Sequence, residues 1–185
     1  VQADLQLSVS SGRAFRHVDE AAGRLDRTAA VHVDVDTGMG RSGFDWRTVD
    51  EWLPDLLEGP DRVRWAGCYT HLHSADEEGT SVAEQWRRFS EVLTRLDGRR
   101  RSTMVHLLNS AGVFRRPDVA HAVVRPGIFL YGGKVGAGQP EPDPVVSLHA
   151  RVVHVRDAPA GTTVGYGSTY TARSDERWAT LSIGY

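Results

Sequence analysis

The sequence predicts an α/β chain: βα units on a parallel sheet, of a (β/α)8 TIM-type barrel or an open doubly wound fold, followed by the opening of an all-β domain. Three observations carry that expectation. Strand patterns alternate with amphipathic helix patterns through the first two thirds, which marks βαβ units on a parallel sheet. The polar residues that stand out (Asp36, His71, Asn109, Ser110 and Arg125) fall at the C-terminal ends of the expected strands. A barrel builds its site there, and so does an open doubly wound sheet. After a Gly- and Pro-rich stretch, Gly132–Pro144, the helix patterns cease.

Asp4–Val9 reads as a first strand, and Ala30–Asp34 alternates apolar and polar residues as a second. Asp45–Leu57 sets Val49, Trp52, Leu53, Leu56 and Leu57 on one helical face, with Pro54 predicting a kink or a helix in two pieces. Val63–Thr70 is an apolar and aromatic strand. Ser81–Leu96 is the clearest helix: Ser81 and Glu84 form a capping-box pattern, and Val82, Trp86, Phe89, Val92, Leu93 and Leu96 form its stripe. Thr103–Leu107 is a strand, a short helix starts near Ser110, and Ala122–Arg125 is a strand stopped by Pro126-Gly127. Val145–Arg156, Thr162–Tyr166 and Trp178–Ile183 then read as strands, with a turn at Asp157–Gly161. The expected domains are residues 1–140, the βα units, and residues 141–185, the start of a β domain. Four or five βα units and three strands make an incomplete set, and Leu181–Tyr185 stops in mid-pattern, so the chain reads as an internal piece of a longer protein.

Composition excludes several classes. With 185 residues, 40% hydrophobic and 25% charged, the chain has an ordinary globular make-up. A net charge of −2 gives no footprint for nucleic acid or an anionic membrane. No apolar run is long enough to span a bilayer. The single cysteine, Cys68, lies in an apolar run and fits a buried thiol in a reducing compartment. Lys134 is the only lysine.

Taken residue by residue, the motifs suggest a phosphate site. Asn109-Ser110 ends a strand and opens a helix, which aims backbone N–H groups outward; Gly127-Ile128, after a tight Arg-Pro-Gly turn, offers more. Glycines in Asp36-Thr-Gly-Met-Gly-Arg41 give a tight loop after a strand. His71-x-His73 at a strand end is also how a metal site can begin, with His106 and Asp36 as further ligands. On their own, Arg125 and Arg41 also read as surface ion-pair residues, and Tyr166 as a turn residue.

Together, Asp36–Arg41, Thr70-His-Leu-His-Ser-Ala-Asp76, His106-Leu-Leu-Asn-Ser110, Val124-Arg-Pro-Gly-Ile128 and Val164-Gly-Tyr-Gly-Ser-Thr-Tyr170 resemble the alanine racemases in order and spacing. The resemblance runs from about Val31 to Tyr185, and it implies that residues 1–140 are the C-terminal part of a (β/α)8 TIM-type barrel that binds pyridoxal 5′-phosphate (PLP). It implies PLP as cofactor, alanine as substrate, a cytoplasmic homodimer with shared sites, and a supply of D-alanine for the bacterial cell wall. It implies that Asn109, Ser110, Gly127 and Ile128 hold the cofactor, the phosphate falling to the last three. His71 packs by the ring, and Arg125 faces the pyridine nitrogen. An Arg, with a pKa above about 12, cannot give that nitrogen a proton, which favours simple reprotonation at Cα over transamination.

Tyr166 matches one of two acid–base groups on opposite faces of the amino acid, supplied by the partner subunit. A hydrogen-bond chain through His71 to Arg125 would help a group whose free pKa is about 10. Arg41 positions the substrate carboxylate, and Tyr185 lines the entrance. Where the family has a lysine that fixes that Arg, this chain has Asp34, expected to pair with Arg41 directly. The lysine that anchors PLP and serves as the second base has no match here; Lys134 reads as a surface residue. By this expectation the piece alone is inactive. A PLP racemase for serine or a broader set, and a metal-dependent barrel hydrolase using His71 and His73, remain as alternatives.

Overall fold

A computed structural model describes residues 3–59, 62–96 and 103–184. In the first unit, residues 1–145, the elements are β1 (Leu7–Val9), α1 (Gly12–Leu25), β2 (Ala29–Asp36), β3 (Phe44–Asp45), α2 (Val49–Leu57), β4 (Val63–Tyr69), α3 (Ser81–Arg95), β5 (Met104–His106) and α4 (Ser110–Arg115). The sheet runs β1-β2-β4-β5, with β3 also on β2, and every pair is parallel. Val9, Val33, Cys68 and Val105 form one row across it.

Strand alternation splits the sheet into two unlike faces. One carries Val31, Val33, Val35, Cys68 and Val105, packed with Phe15 of α1, Val49 and Leu53 of α2, and Phe89 and Val92 of α3. Burial there pushes the Cys68 thiol pKa up, which leaves it inert. The other face is polar. Ser8 bonds Tyr69, His32 bonds His106, and the Tyr69 and His106 rings stack. Gly67, opposite His32, is what admits that imidazole: a Cβ there would lie 2.1 Å from His32 Nδ1.

The structure corrects several local expectations. α1 has no counterpart in the predicted elements, although Ser11 caps it by accepting from the Ala14 amide. Gly12 and Gly23 weaken its helical signal. The helix over 45–57 is indeed in two pieces, but the break falls between a 3-10 turn, Trp46–Thr48, and α2, while Pro54 sits within α2. There is no capping box on α3: Thr80 is the N-cap, Ser81 Oγ donates to Ser74 O, and Glu84 binds Arg87 and Arg88. The strand expected at Ala122–Arg125 shrinks to a single bridge between Asn109 and Arg125. Within the Gly- and Pro-rich stretch over 132–144, Val135 is 3% exposed in the core and Gly136 packs against the Asp76 carbonyl.

The second unit, residues 146–185, pairs β6 (Val152–Ala158) with β9 (Glu176–Leu181), and β7 (Thr163–Val164) with β8 (Tyr170–Thr171), both antiparallel. The predicted strand over 145–156 therefore begins only at Val152. Val152, Val153 and Val155 are about half exposed; Ala158 and Ala172 are the buried apolar residues among those described here. Among the described residues no helix is long and apolar enough to cross a membrane.

Candidate active site

Arg125 organises the polar end of the first unit. Its backbone N–H donates to Leu108 O at 2.8 Å, which holds it beside the end of β5. The guanidinium donates to His106 Nδ1 (2.5 Å), to Thr70 O (2.8 Å) and to Leu107 O (3.4 Å), and meets His71 Nδ1 at 3.5 Å. It also lies 5.1 Å over the Tyr69 ring. No carboxylate lies within ion-pair distance of Arg125 among the described residues, and burial holds its pKa below the ordinary arginine value.

An arginine only donates, so His106 Nδ1 must be the acceptor and the ring must be neutral. Burial, then the Arg125 charge and His32, bring the His106 pKa down to about 4. Its stabilising contribution is therefore complete above the unfolded value of about 6.5 and is lost as pH falls through about 4. Denaturant midpoints measured between those limits are expected to fall with pH, and His106→Gln to flatten that slope. An unchanged slope in the variant would count against the neutral His106. Burial, with Arg125 and then Arg41, also lowers the His71 pKa.

A cavity of about 410 Å³ opens beside this cluster, lined among others by His71, Asn109, Ser110, Arg125, Gly127 and Ile128. The start of α4 explains the phosphate-like chemistry on one wall. Asn109 caps the helix by accepting from the Gly112 amide and donates to Leu72 O. Ser110 Oγ accepts from Gly127 N at 2.8 Å, tying the turn after Arg125 to the helix. First-turn N–H groups of such a helix have no intrahelical acceptor. A Cβ on Gly127 would meet nothing within 4 Å, so the space beside that amide is open. A helix start beside a serine hydroxyl and an open space suits a phosphate, and a donor-only Arg125 suits an unprotonated ring nitrogen. By these observations the residues fit PLP.

The other predicted residues are placed as follows. Arg41 is exposed in the loop after β2, which Asp36 shapes by accepting from the Gly38 and Gly40 amides. Asp34 does not pair with Arg41: it accepts from Ser42 Oγ at 2.9 Å, and no ion pair joins the two. Asp34 sits inside the sheet's polar face, 7% exposed, where burial raises its pKa against the pull of Ser42 and Tyr69. Arg41 lies in the solvent-facing loop instead. His73 lines the same cavity and bonds Ser74. Among the described residues, no group of three or more His, Cys, Asp or Glu is placed to hold a metal, so the His71, His73, His106 and Asp36 set does not assemble. Lys134 is 72% exposed and paired with Glu141, yet it also lines the cavity.

Tyr166 belongs to the second unit. It starts a short 3-10 turn between Gly165 and Gly167, both at positive φ, and is 94% exposed with no hydrogen-bond partner among the described residues. Tyr185 lies outside the described residues. Sequence reasoning missed His32, Tyr69 and Gln85 as parts of the cluster. The alternation His32-Val-Asp34 on β2 was the available signal: two polar side chains sharing one face of a buried strand.

Residues 1–135 match the family described as alanine racemase, N-terminal domain, and residues 145–185 the alanine racemase C-terminal domain. An alanine racemase of Syntrophobacter fumaroxidans is 37% identical over 174 residues, covering 92% of this chain and 46% of its own. One from Desulforamulus reducens is 39% identical over 176 residues, covering 89% and 46%. Among solved structures, the alanine racemase of Bacillus anthracis with bound L-Ala-P is similar at TM-score 0.74 and 32% identity, covering 100% of this chain and 49% of its own. The chain thus spans about half the length of these relatives.

Proposed function

This chain belongs to the alanine racemase family, and on that footing we propose that the protein carrying it interconverts L- and D-alanine with PLP. The observation that carries the reading is the placement of Arg125: a part-buried cation with no carboxylate in ion-pair reach among the described residues, set beside His71 and the Ser110–Gly127 tie. In this proposal Ser110, Gly127 and Ile128 bind the phosphate, Asn109 holds the start of α4 that presents these donors, and Arg125 faces the ring nitrogen without yielding a proton.

Bound there, the cofactor supplies the electron withdrawal that acidifies the hydrogen on the substrate Cα. The chain's own residues do the rest. Arg41 holds the substrate carboxylate and so fixes which way the Cα–H bond points. Tyr166, contributed by a second copy, exchanges a proton with Cα on one face through its hydroxyl. His71, whose pKa burial and then the Arg125 and Arg41 charges lower, hydrogen-bonds that hydroxyl and stabilises its deprotonated form. Tyr185 stands at the entrance. Asp34 fixes the loop of Arg41 through Ser42 rather than through an ion pair. The second acid–base group is the family's lysine, which has no match in this chain, so the chain by itself is proposed to be inactive. The working protein is proposed to be a cytoplasmic homodimer that supplies D-alanine for peptidoglycan.

The test is the full-length protein purified with PLP and given L-alanine. Formation of D-alanine to an equal mixture is the expected result. Faster turnover of serine would move the substrate while keeping the chemistry. Failure with every amino acid tried would overturn the proposal.

A further inference from the structure

We propose that Gln85 is a positioning residue for this site: its buried carboxamide locks the loop carrying His71 to the loop carrying Arg41. The inference rests on the racemase reading above.

Gln85 lies on α3 in the same stripe as Val82, Phe89 and Val92, and it is 1% exposed. An apolar residue would serve that stripe at no polar cost, whereas a buried carboxamide is destabilising unless each group is satisfied. Here each is. Oε1 accepts from His73 N at 3.0 Å. Nε2 donates to His71 O at 2.9 Å and to Thr37 Oγ1 at 3.0 Å. A backbone N–H on one side and a carbonyl on the other fix which end of the amide is which.

The amide therefore grips the His71 segment on both sides of Leu72. Its third bond reaches the other loop. Thr37, fully buried, bonds the equally buried Thr70 at 2.7 Å. The Thr70 carbonyl in turn accepts from Arg125. Arg88, about one helical turn further along α3, adds a bond from Nη1 to Thr37 O at 2.8 Å. One helix thus holds the backbone of His71, the start of the Arg41 loop and, through two threonines, the guanidinium of Arg125. The bonds from the Gln85 carboxamide thus run to the segments that follow β2 and β4.

The experiment compares wild type, Gln85→Met and Gln85→Glu in the full-length protein, with Thr37→Val as a milder variant should Gln85→Met not fold. Methionine keeps the length and apolar bulk without donors or acceptor. The expected result is a roughly 10- to 100-fold loss in kcat, the size of effect that misplacement of about 1 Å produces. The pH–rate profile is expected to shift, and the thermal midpoint to fall too little to explain the loss. Gln85→Glu should regain rate as pH falls, because a protonated carboxyl can again donate to His71 O while accepting from His73 N. In the cofactor-free protein, NMR titration of His71 should show a higher pKa in Gln85→Met, as the imidazole leaves its part-buried place beside Arg125. Unchanged kcat, pH profile and His71 titration would overturn the proposal. A wild-type protein that racemises nothing would sink the earlier reading instead, and the His71 titration would still decide this one.

Discussion

Tyr166→Phe in the full-length protein is expected to slow alanine racemisation by roughly 10²- to 10⁴-fold, the usual worth of a positioned acid–base group. Because the two enantiomers are equally stable, kcat/KM must fall by the same factor in both directions. Hydrogen exchange should not be symmetric. With one group gone, only the enantiomer whose Cα–H points at the remaining group keeps exchanging that hydrogen with deuterated solvent, and it does so without inverting. The other enantiomer loses exchange along with racemisation. Phe removes one hydroxyl from a residue that is 94% exposed within its unit, so folding should change by no more than about 0.5 kcal/mol. Racemisation at the wild-type rate would remove Tyr166 from the mechanism.

Phe89→Ala should have the largest effect on stability, a loss of about 3–5 kcal/mol. Phe89 is fully buried at the centre of the α3 stripe and packs in the cluster that includes Val31, Val33 and Cys68 of the sheet. Ordinary domains keep a margin of only about 5–15 kcal/mol, so a loss of that size takes a large share of it. Denaturant unfolding of the full-length protein measures it. A change below about 1 kcal/mol would mean that α3 contributes little to the core. That outcome would also weaken the case that α3 holds the site's loops.

The long, strongly periodic elements were legible from sequence. β2 and α3 follow from alternation and from the Val82–Leu93 stripe, because burial on a single face leaves a period in the chain, and β4 follows from its apolar and aromatic run. α1 was not legible: its glycines and mostly polar surface blur the pattern, and its cap depends on the conformation of Ser11. Arg125, His71 and Ser110 could be picked out as motif residues, and the structure gathers them around one cavity. Their supports could not. Gln85 matters through bonds to backbone groups 12 and 14 residues away and Thr70 through its own carbonyl, and backbone groups carry no letter in a sequence. Asp34 shows the converse: its letter suggested a partner for Arg41, and the fold gave it Ser42.

The polar face of the sheet has a direction. From Arg125 the contacts pass to His106 Nδ1, from His106 Nε2 to His32 Nδ1, and from His32 Nε2 to Gln6 Oε1. Since the first member can only give hydrogens, each imidazole must receive on Nδ1 and give from Nε2, and the last must find a lone pair. The side chain at position 6 is thus constrained by the residue at position 125, across the width of four strands. Glutamine or an acid there completes the sequence of gifts. Lysine would set one giver against another and force an imidazole to turn over, so a change at one edge of the sheet would be felt at the guanidinium on the other.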